Sequence, residues 1–183
     1  MYARPPDLDD ALGLLAAGEA RIMAGATDLY PPAGERPLQG DFIDLSDISA
    51  LRGVRREGDS LRIGGTTTWS DIVAADLPPA FDALKVAARD VGAVQIQNRA
   101  TIAGNLCNAS PAADGVPPLL ILDAEVELAS RRGVRRLALG AFLTGSRRTL
   151  LAPDEVMTAI VLPLPAPTMR SAFFKLGARR YLV

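Results

Sequence analysis

Apolar residues recur at Leu8, Leu12 and Leu15 with acids before them and Gly18 behind, which predicts a short amphipathic helix over 7–17. Short apolar runs at 21–24 and 42–45 predict strands, the first leading into the small-residue turn Gly25-Ala26-Thr27-Asp28. Segments 52–57 and 61–64 flank Gly58-Asp59 and predict a hairpin. Thr68 is placed to cap a helix through Asp71 to Ala75, and 79–90 carries Phe81, Leu84 and Ala88 on one helical side. The apolar run 116–122 predicts a short buried helix. Beyond it the pattern becomes that of strands, at 125–130, 135–139, 156–162 and 172–176, with a proline-rich boundary at 163–167 between the last two.

Helices and strands mixed in this way predict an α+β fold without internal repeats. The expected organisation is an N-terminal subdomain over 1–53, a second subdomain over 54–165, and the start of a further, truncated domain over 166–183.

Charge adds an exclusion. Twenty Lys and Arg oppose 21 Asp and Glu, so nothing argues for nucleic acid or an anionic membrane surface as partner. No apolar run approaches the roughly 18–20 residues that span a bilayer, and MYARPPDLDD lacks the apolar stretch of an export signal. A single cysteine cannot form an intrachain disulfide, and a reducing, cytoplasmic setting is expected. The chain has no histidine, which excludes Ser-His-Asp and Cys-His catalysis, HExxH zinc sites and flavin tethered through histidine. One cysteine likewise excludes iron–sulfur clusters and cysteine-rich zinc sites. An enzyme built this way relies on a bound organic cofactor.

Two segments have the composition of a cofactor cradle. In AGATDLY the chain turns at Gly25 beside Ala26 and the hydroxyl of Thr27, and in TIAGN it turns at Ala103-Gly104 beside Thr101 and Asn105. Small residues let backbone N–H groups approach phosphate oxygens, although each segment could equally be a tight turn after a strand. Two in one chain favour a diphosphate held between two lobes. Neither matches the GxxxxGKS/T phosphate loop or the GxGxxG dinucleotide fingerprint. On the cradle reading Gly25 and Gly104 leave room for phosphate, and valine at either should block binding with the fold intact.

RIMAGATDL at 21–29, IGGTTT at 63–68 and above all QIQNRATIAGNLCNASPAADGVPPLLILDA from Gln95 onward resemble the FAD-binding medium subunit of the molybdenum hydroxylases, the xanthine dehydrogenase, aldehyde oxidase and carbon monoxide dehydrogenase family. FKLGARR, Phe174 to Arg180, matches a further family motif. The resemblance implies an FAD-binding fold of the vanillyl-alcohol oxidase type, with two α+β subdomains clasping non-covalent FAD. It implies that Ile22, Met23, Ala24, Gly25, Ala26, Thr27, Asp28 and Leu29 wrap the pyrophosphate and adjoining ribose. Thr101, Ile102, Ala103, Gly104 and Asn105 would supply a second set of pyrophosphate contacts, Asp114 a hydrogen bond and Val91 an apolar contact. Met157 would pack near the isoalloxazine ring, and Lys175 would approach its polar edge, where a cation raises the flavin potential.

No catalytic or metal-binding residue is implied on this chain. Molybdopterin would reside on a large partner subunit and 2Fe–2S clusters on a small one. Electrons would pass from the clusters through FAD to NAD, oxygen or another acceptor. Two departures from the family pattern stand out: Ala103 replaces the first glycine of Thr-Ile-Gly-Gly-Asn, and the sequence stops at Val183, where family members continue. They support one alternative, a scaffold subunit without FAD; a second, a stand-alone flavin oxidase of the same fold, is opposed by the missing C-terminal region and by the match to the hydroxylase motifs. Cys107 and Trp69 read as a buried thiol and a packing residue, and Arg131, Arg132, Arg135 and Arg136 as a solvated or partner-facing cluster.

Overall fold

The computed structural model describes residues 1–176. The first half builds a small parallel sheet from β1 (Tyr2–Ala3), β2 (Arg21–Met23) and β3 (Phe42–Asp44), in the order β1-β3-β2. Helix α1 (Leu8–Ala17) links β1 to β2, and the side chain of Asp7 caps it by accepting from the Asp10 amide at 2.9 Å. Its Ala11, Leu12 and Leu15 are buried against Ile43, Leu45, Ile48 and Leu51. A single helical turn, α2 (Tyr30–Ala33), follows the turn that leaves β2.

The second half begins with the expected hairpin of β4 (Val54–Glu57) and β5 (Ser60–Gly64), closed between Glu57 and Ser60. Then come α3 (Trp69–Ala74), α4 (Asp82–Asp90), α5 (Val94–Gln97), α6 (Ile102–Asn108) and α7 (Val116–Ile121). A second hairpin, β6 (Glu125–Ser130) and β7 (Gly133–Ala138), leads through α8 (Leu139–Phe142) to a two-stranded ribbon, β8 (Leu143–Gly145) and β9 (Arg148–Thr149). Last comes β10 (Val156–Pro163), which inserts between the two hairpins to give the antiparallel order β4-β5-β10-β6-β7. Trp69, Phe81, Leu84, Ile102, Leu106 and Leu119 from the helical layer are buried with Ile63, Val126, Leu128, Ile160 and Leu162 of this sheet. Ala129 and Val156, from the same sheet, join the N-terminal core. The two halves therefore share an apolar contact.

Three of the four arginines of the basic cluster, all but Arg131, pair with carboxylates among the described residues. Arg132 pairs with Asp154, Arg135 with Glu155, and Arg136 with Glu127. Glu127, only 8% exposed, also accepts from Arg62 and Thr158. Burial would raise its pKa, but the hydrogen bonds from Arg62, Thr158 and Arg136 outweigh it and hold the carboxyl at about 2.

Three sequence expectations change. Residues 172–176 form no strand; the Ser171 hydroxyl accepts from the Ala83 amide at 2.9 Å, and Lys175 reaches across to Asp114. The apolar run at 116–122 is helical but half-buried, with Leu119 inside and Leu120 and Ile121 exposed. TIAGN is the start of α6, not an open turn. Gly177, Ala178, Arg179 and Arg180 of the FKLGARR motif, with the rest of 177–183, lie outside the described residues. No helix among the described residues is long and apolar enough to cross a membrane.

Candidate cofactor site

A cavity of about 780 Å³ opens between the two halves, within the size range of small-molecule and cofactor sites. Ile22, Ala24, Gly25, Ala26, Thr27, Asp28 and Leu29 line one side; Val91, Thr101, Ala103, Gly104, Asn105, Asp114, Met157 and Lys175 line the remainder. Met23 and Ile102 do not reach it. Both are buried, at 5% and 0% exposure, and Ile102 packs into the core of the larger half.

The turn after β2 behaves as a backbone cradle. Among the described residues the amides of Gly25, Ala26, Thr27 and Asp28 donate to no protein acceptor, while the Ala26 carbonyl accepts from Leu29 and Tyr30 to close the turn. Ala26 has a φ of 58°, left-handed for a residue with a Cβ, and strain of this kind is tolerated where a site requires it. Unpaired successive amides in such a turn suit anionic oxygens.

The glycine of this turn has another role. A Cβ on Gly25 would lie 2.0 Å from the Arg99 carbonyl oxygen and 2.9 Å from the Ala100 Cα. Gly25 is required for backbone-to-backbone contact between the halves. The expectation that valine here leaves the fold intact is overturned.

On the facing wall the geometry also differs from a nest. The amides of Ile102 and Ala103 donate to the carbonyls of Thr67 and Gly65, and those of Gly104 and Asn105 to the hydroxyl and carbonyl of Thr101. Four successive N–H groups are therefore committed inside the protein. What remains for a ligand is the Thr101 hydroxyl proton, free because its oxygen accepts from Gly104 at 3.1 Å, together with the Asn105 side chain. A Cβ on Gly104 would lie 2.9 Å from Thr101 Oγ1, so valine there disturbs the helix cap as well as the cavity. Ala103 has ordinary helical backbone and is 7% exposed, so alanine in place of glycine introduces no strain.

Asp114 and Lys175 meet each other. Lys175 Nζ donates to Asp114 Oδ2 at 2.7 Å, with side chains 20% and 15% exposed. Gly65, Thr66, Asn108, Ser110 and Arg147 also line the cavity and were missed from sequence. Gly65 and Thr66 belong to the quoted IGGTTT run, which was the available signal. Cys107 lines the cavity too, its thiol pushed up to about 12 by burial.

FAD fits these residues. Four unpaired amides can receive a diphosphate. Trp69 Nε1 and Asn105 Oδ1, buried without partners, leave polar capacity in residues of the wall.

Fold and cavity together define a two-lobed cofactor-binding domain, and residues 1–165 match the model of the FAD binding domain in molybdopterin dehydrogenase. The chain belongs to this family of FAD-binding oxidoreductase components. It is 36% identical over 183 residues to the xanthine dehydrogenase FAD-binding subunit of Escherichia coli O157:H7, covering 97% of this chain and 63% of that protein. It is 37% identical over 189 residues to the nicotinate dehydrogenase FAD-subunit of Eubacterium barkeri, covering 99% and 64%. Among solved structures, reconstituted CO dehydrogenase from Oligotropha carboxidovorans superposes with a TM-score of 0.83 at 31% identity, covering 91% of this chain and 59% of that one. The chain thus spans less than two thirds of the length of these relatives.

Proposed function

We propose that this chain is the FAD-binding electron-transfer component of a molybdenum-containing hydroxylase or dehydrogenase. The observation that carries the reading is the cavity between the halves, with the unpaired amides of Gly25, Ala26, Thr27 and Asp28 on one side and the Thr101 hydroxyl on another. When bound, FAD supplies the capacity to take up and release electrons singly or in pairs, which joins an iron–sulfur donor to NAD, oxygen or another acceptor.

The chain's own residues bind and orient. Gly25, Ala26, Thr27 and Asp28 offer amides to the diphosphate, and Thr101 and Asn105 add side-chain donors. Val91 and Met157 provide apolar wall, and the Asp114–Lys175 pair provides a charged, hydrogen-bonding edge. In this reading a large molybdopterin subunit and a small 2Fe–2S subunit are the partners, as the family resemblance implies. Residues 1–53 and 54–165 are the two FAD-binding subdomains, supported by the two apolar clusters. A reducing, cytoplasmic setting accords with one unpaired, partly buried thiol.

The test is a visible absorption spectrum of the purified chain, then titration with FAD and with FMN. Flavin bands, or saturable binding that prefers FAD, are expected. A folded chain that binds neither nucleotide would sink the reading.

A further inference from the structure

The run Gly64 to Thr68, of which Gly65 and Thr66 line the cavity, bonds the crossing between the halves, the central strand and α6. Thr67, fully buried, uses one hydroxyl twice: Oγ1 accepts from the Gly53 amide at 2.9 Å and donates to the Gly53 carbonyl at 3.2 Å. A single side chain thereby reproduces both halves of a backbone pairing. Thr66 bonds the Leu51 carbonyl with its amide at 2.9 Å and its hydroxyl at 3.0 Å. Leu51 belongs to the N-terminal core, and Gly53, with a φ of 101°, is the bend where the chain crosses into the second half.

The same run also holds the cavity wall. The Gly65 amide donates to Thr158 of the central strand, the Gly65 carbonyl accepts from Ala103, and the Thr67 carbonyl accepts from Ile102. Thr68 caps α3 in a reciprocal capping box with Asp71, whose carboxylate receives both Nε and Nη2 of Arg52. The glycines permit this density. A Cβ on Gly64 would lie 2.2 Å from the Leu51 carbonyl oxygen, and one on Gly65 would lie 2.3 Å from that of Met157.

We infer that Thr66 and Thr67 are positioning residues for the cofactor, fixing the interlobe crossing at 51–53 to the wall that carries Thr101 and thereby setting the separation of the two lobes. The inference rests on the FAD reading. A ligand clasped by two walls gains affinity when those walls are held at the right separation, as two linked binding modules do. Loosening the crossing lowers affinity without removing a ligand contact, because Thr67 does not line the cavity.

The experiment measures FAD affinity and dissociation rate for the purified chain in its full length, as wild type, Thr67→Val, Thr67→Ser and Gly53→Ala, each checked for folding by near-ultraviolet circular dichroism. Valine keeps the shape of Thr67 and removes its hydroxyl; serine restores the hydroxyl. Expected are affinity about tenfold weaker for Thr67→Val, comparable to the loss of one or two buried hydrogen bonds, faster dissociation, and recovery to within about twofold for Thr67→Ser. Wild-type affinity in Thr67→Val, or a Thr67→Ser as weak as the valine variant, overturns the inference and leaves the FAD reading standing. If Thr67→Val does not fold, Gly53→Ala decides, because it strains the crossing at a φ of 101° and lies outside the cavity lining: several-fold weaker binding supports the inference and unchanged binding overturns it. Failure of the wild type to bind FAD overturns both.

Discussion

Lys175 and Asp114 form an ion pair at 2.7 Å that ties the segment beyond β10 to the loop after α6, at the cavity wall. The family resemblance gives each a separate duty toward the cofactor. Their mutual contact makes those duties opposite in sign: Lys175 contributes positive charge at the wall, and Asp114 offsets it. With FAD bound, Lys175→Met should lower the flavin potential, and Asp114→Asn should raise it by leaving the ammonium uncompensated. Spectroelectrochemical titration of both variants measures this, and shifts of the same sign would show that the pair does not act on the flavin.

Gly25→Ala is expected to destabilise the chain even without cofactor. Its Cβ meets the Arg99 carbonyl at 2.0 Å, which is backbone that cannot rotate away. The cost is about 1–3 kcal/mol, in the range for overpacked interiors, and urea unfolding of the cofactor-free protein measures it. An unchanged midpoint would mean that the two halves do not touch there.

Ala103→Gly restores the family pattern, yet it should not improve the protein. Ala103 is helical, so glycine adds only backbone entropy, about 0.5–1 kcal/mol of destabilisation. Thermal unfolding and FAD titration of the variant should give a lower midpoint and no gain in affinity. A gain would restore a left-handed requirement at this position.

Glu127 should govern part of the acid sensitivity. Its folded pKa, about 2, lies below the ordinary value of 4.5, so it contributes stability that is present above the unfolded pKa and lost as pH falls through the folded one. Stability should therefore decline between about pH 5 and pH 2, and Glu127→Gln should flatten that decline. Asp44, Asp71 and Glu155, whose pKa values are also lowered, add slopes of the same sign. Denaturant titrations at pH 5, 4 and 3 on both proteins provide the comparison; parallel curves would contradict the network around Glu127.

Cys107 is only partly buried and lines the cavity, but its packing against the larger core pushes its pKa up to about 12, so it should react slowly with thiol reagents at pH 8 in the folded chain and faster once unfolded. Rapid labelling of the native protein would contradict the burial, and a flavin surviving denaturation would point to covalent attachment.

What was legible in the sequence is what local chemistry determines. The acid-capped α1, the hairpin at Gly58-Asp59 and the Thr68 cap all depend on residues within a few positions of one another, and each formed close to its expected bounds. The errors share a cause as well. Thr101 to Asn105 has the composition of an open turn, but its amides find acceptors at Gly65 and Thr67, far back in the chain. Gly25 reads as room for a ligand, whereas its neighbour is the backbone of Arg99 and Ala100. Strands of two residues such as β1 and β9 have no periodicity to read. The cavity's general location was readable from small residues and from family resemblance. Which atoms were free to face it depended on contacts across the whole fold.

The position of β10 has a consequence for how the protein is made. It is the last strand of the five and occupies the middle of the sheet, between β5 and β6. A nascent chain that has not yet delivered residues 156–163 holds two separate hairpins with open edges and no central strand to join them. Assembly of the larger lobe, and with it the Met157 wall of the cavity, waits for that delivery. These long-range pairings make folding slow and expose strand edges to other chains in the interval. During synthesis the two hairpins are the parts of this protein most in need of protection, and the arrival of one strand ends that need.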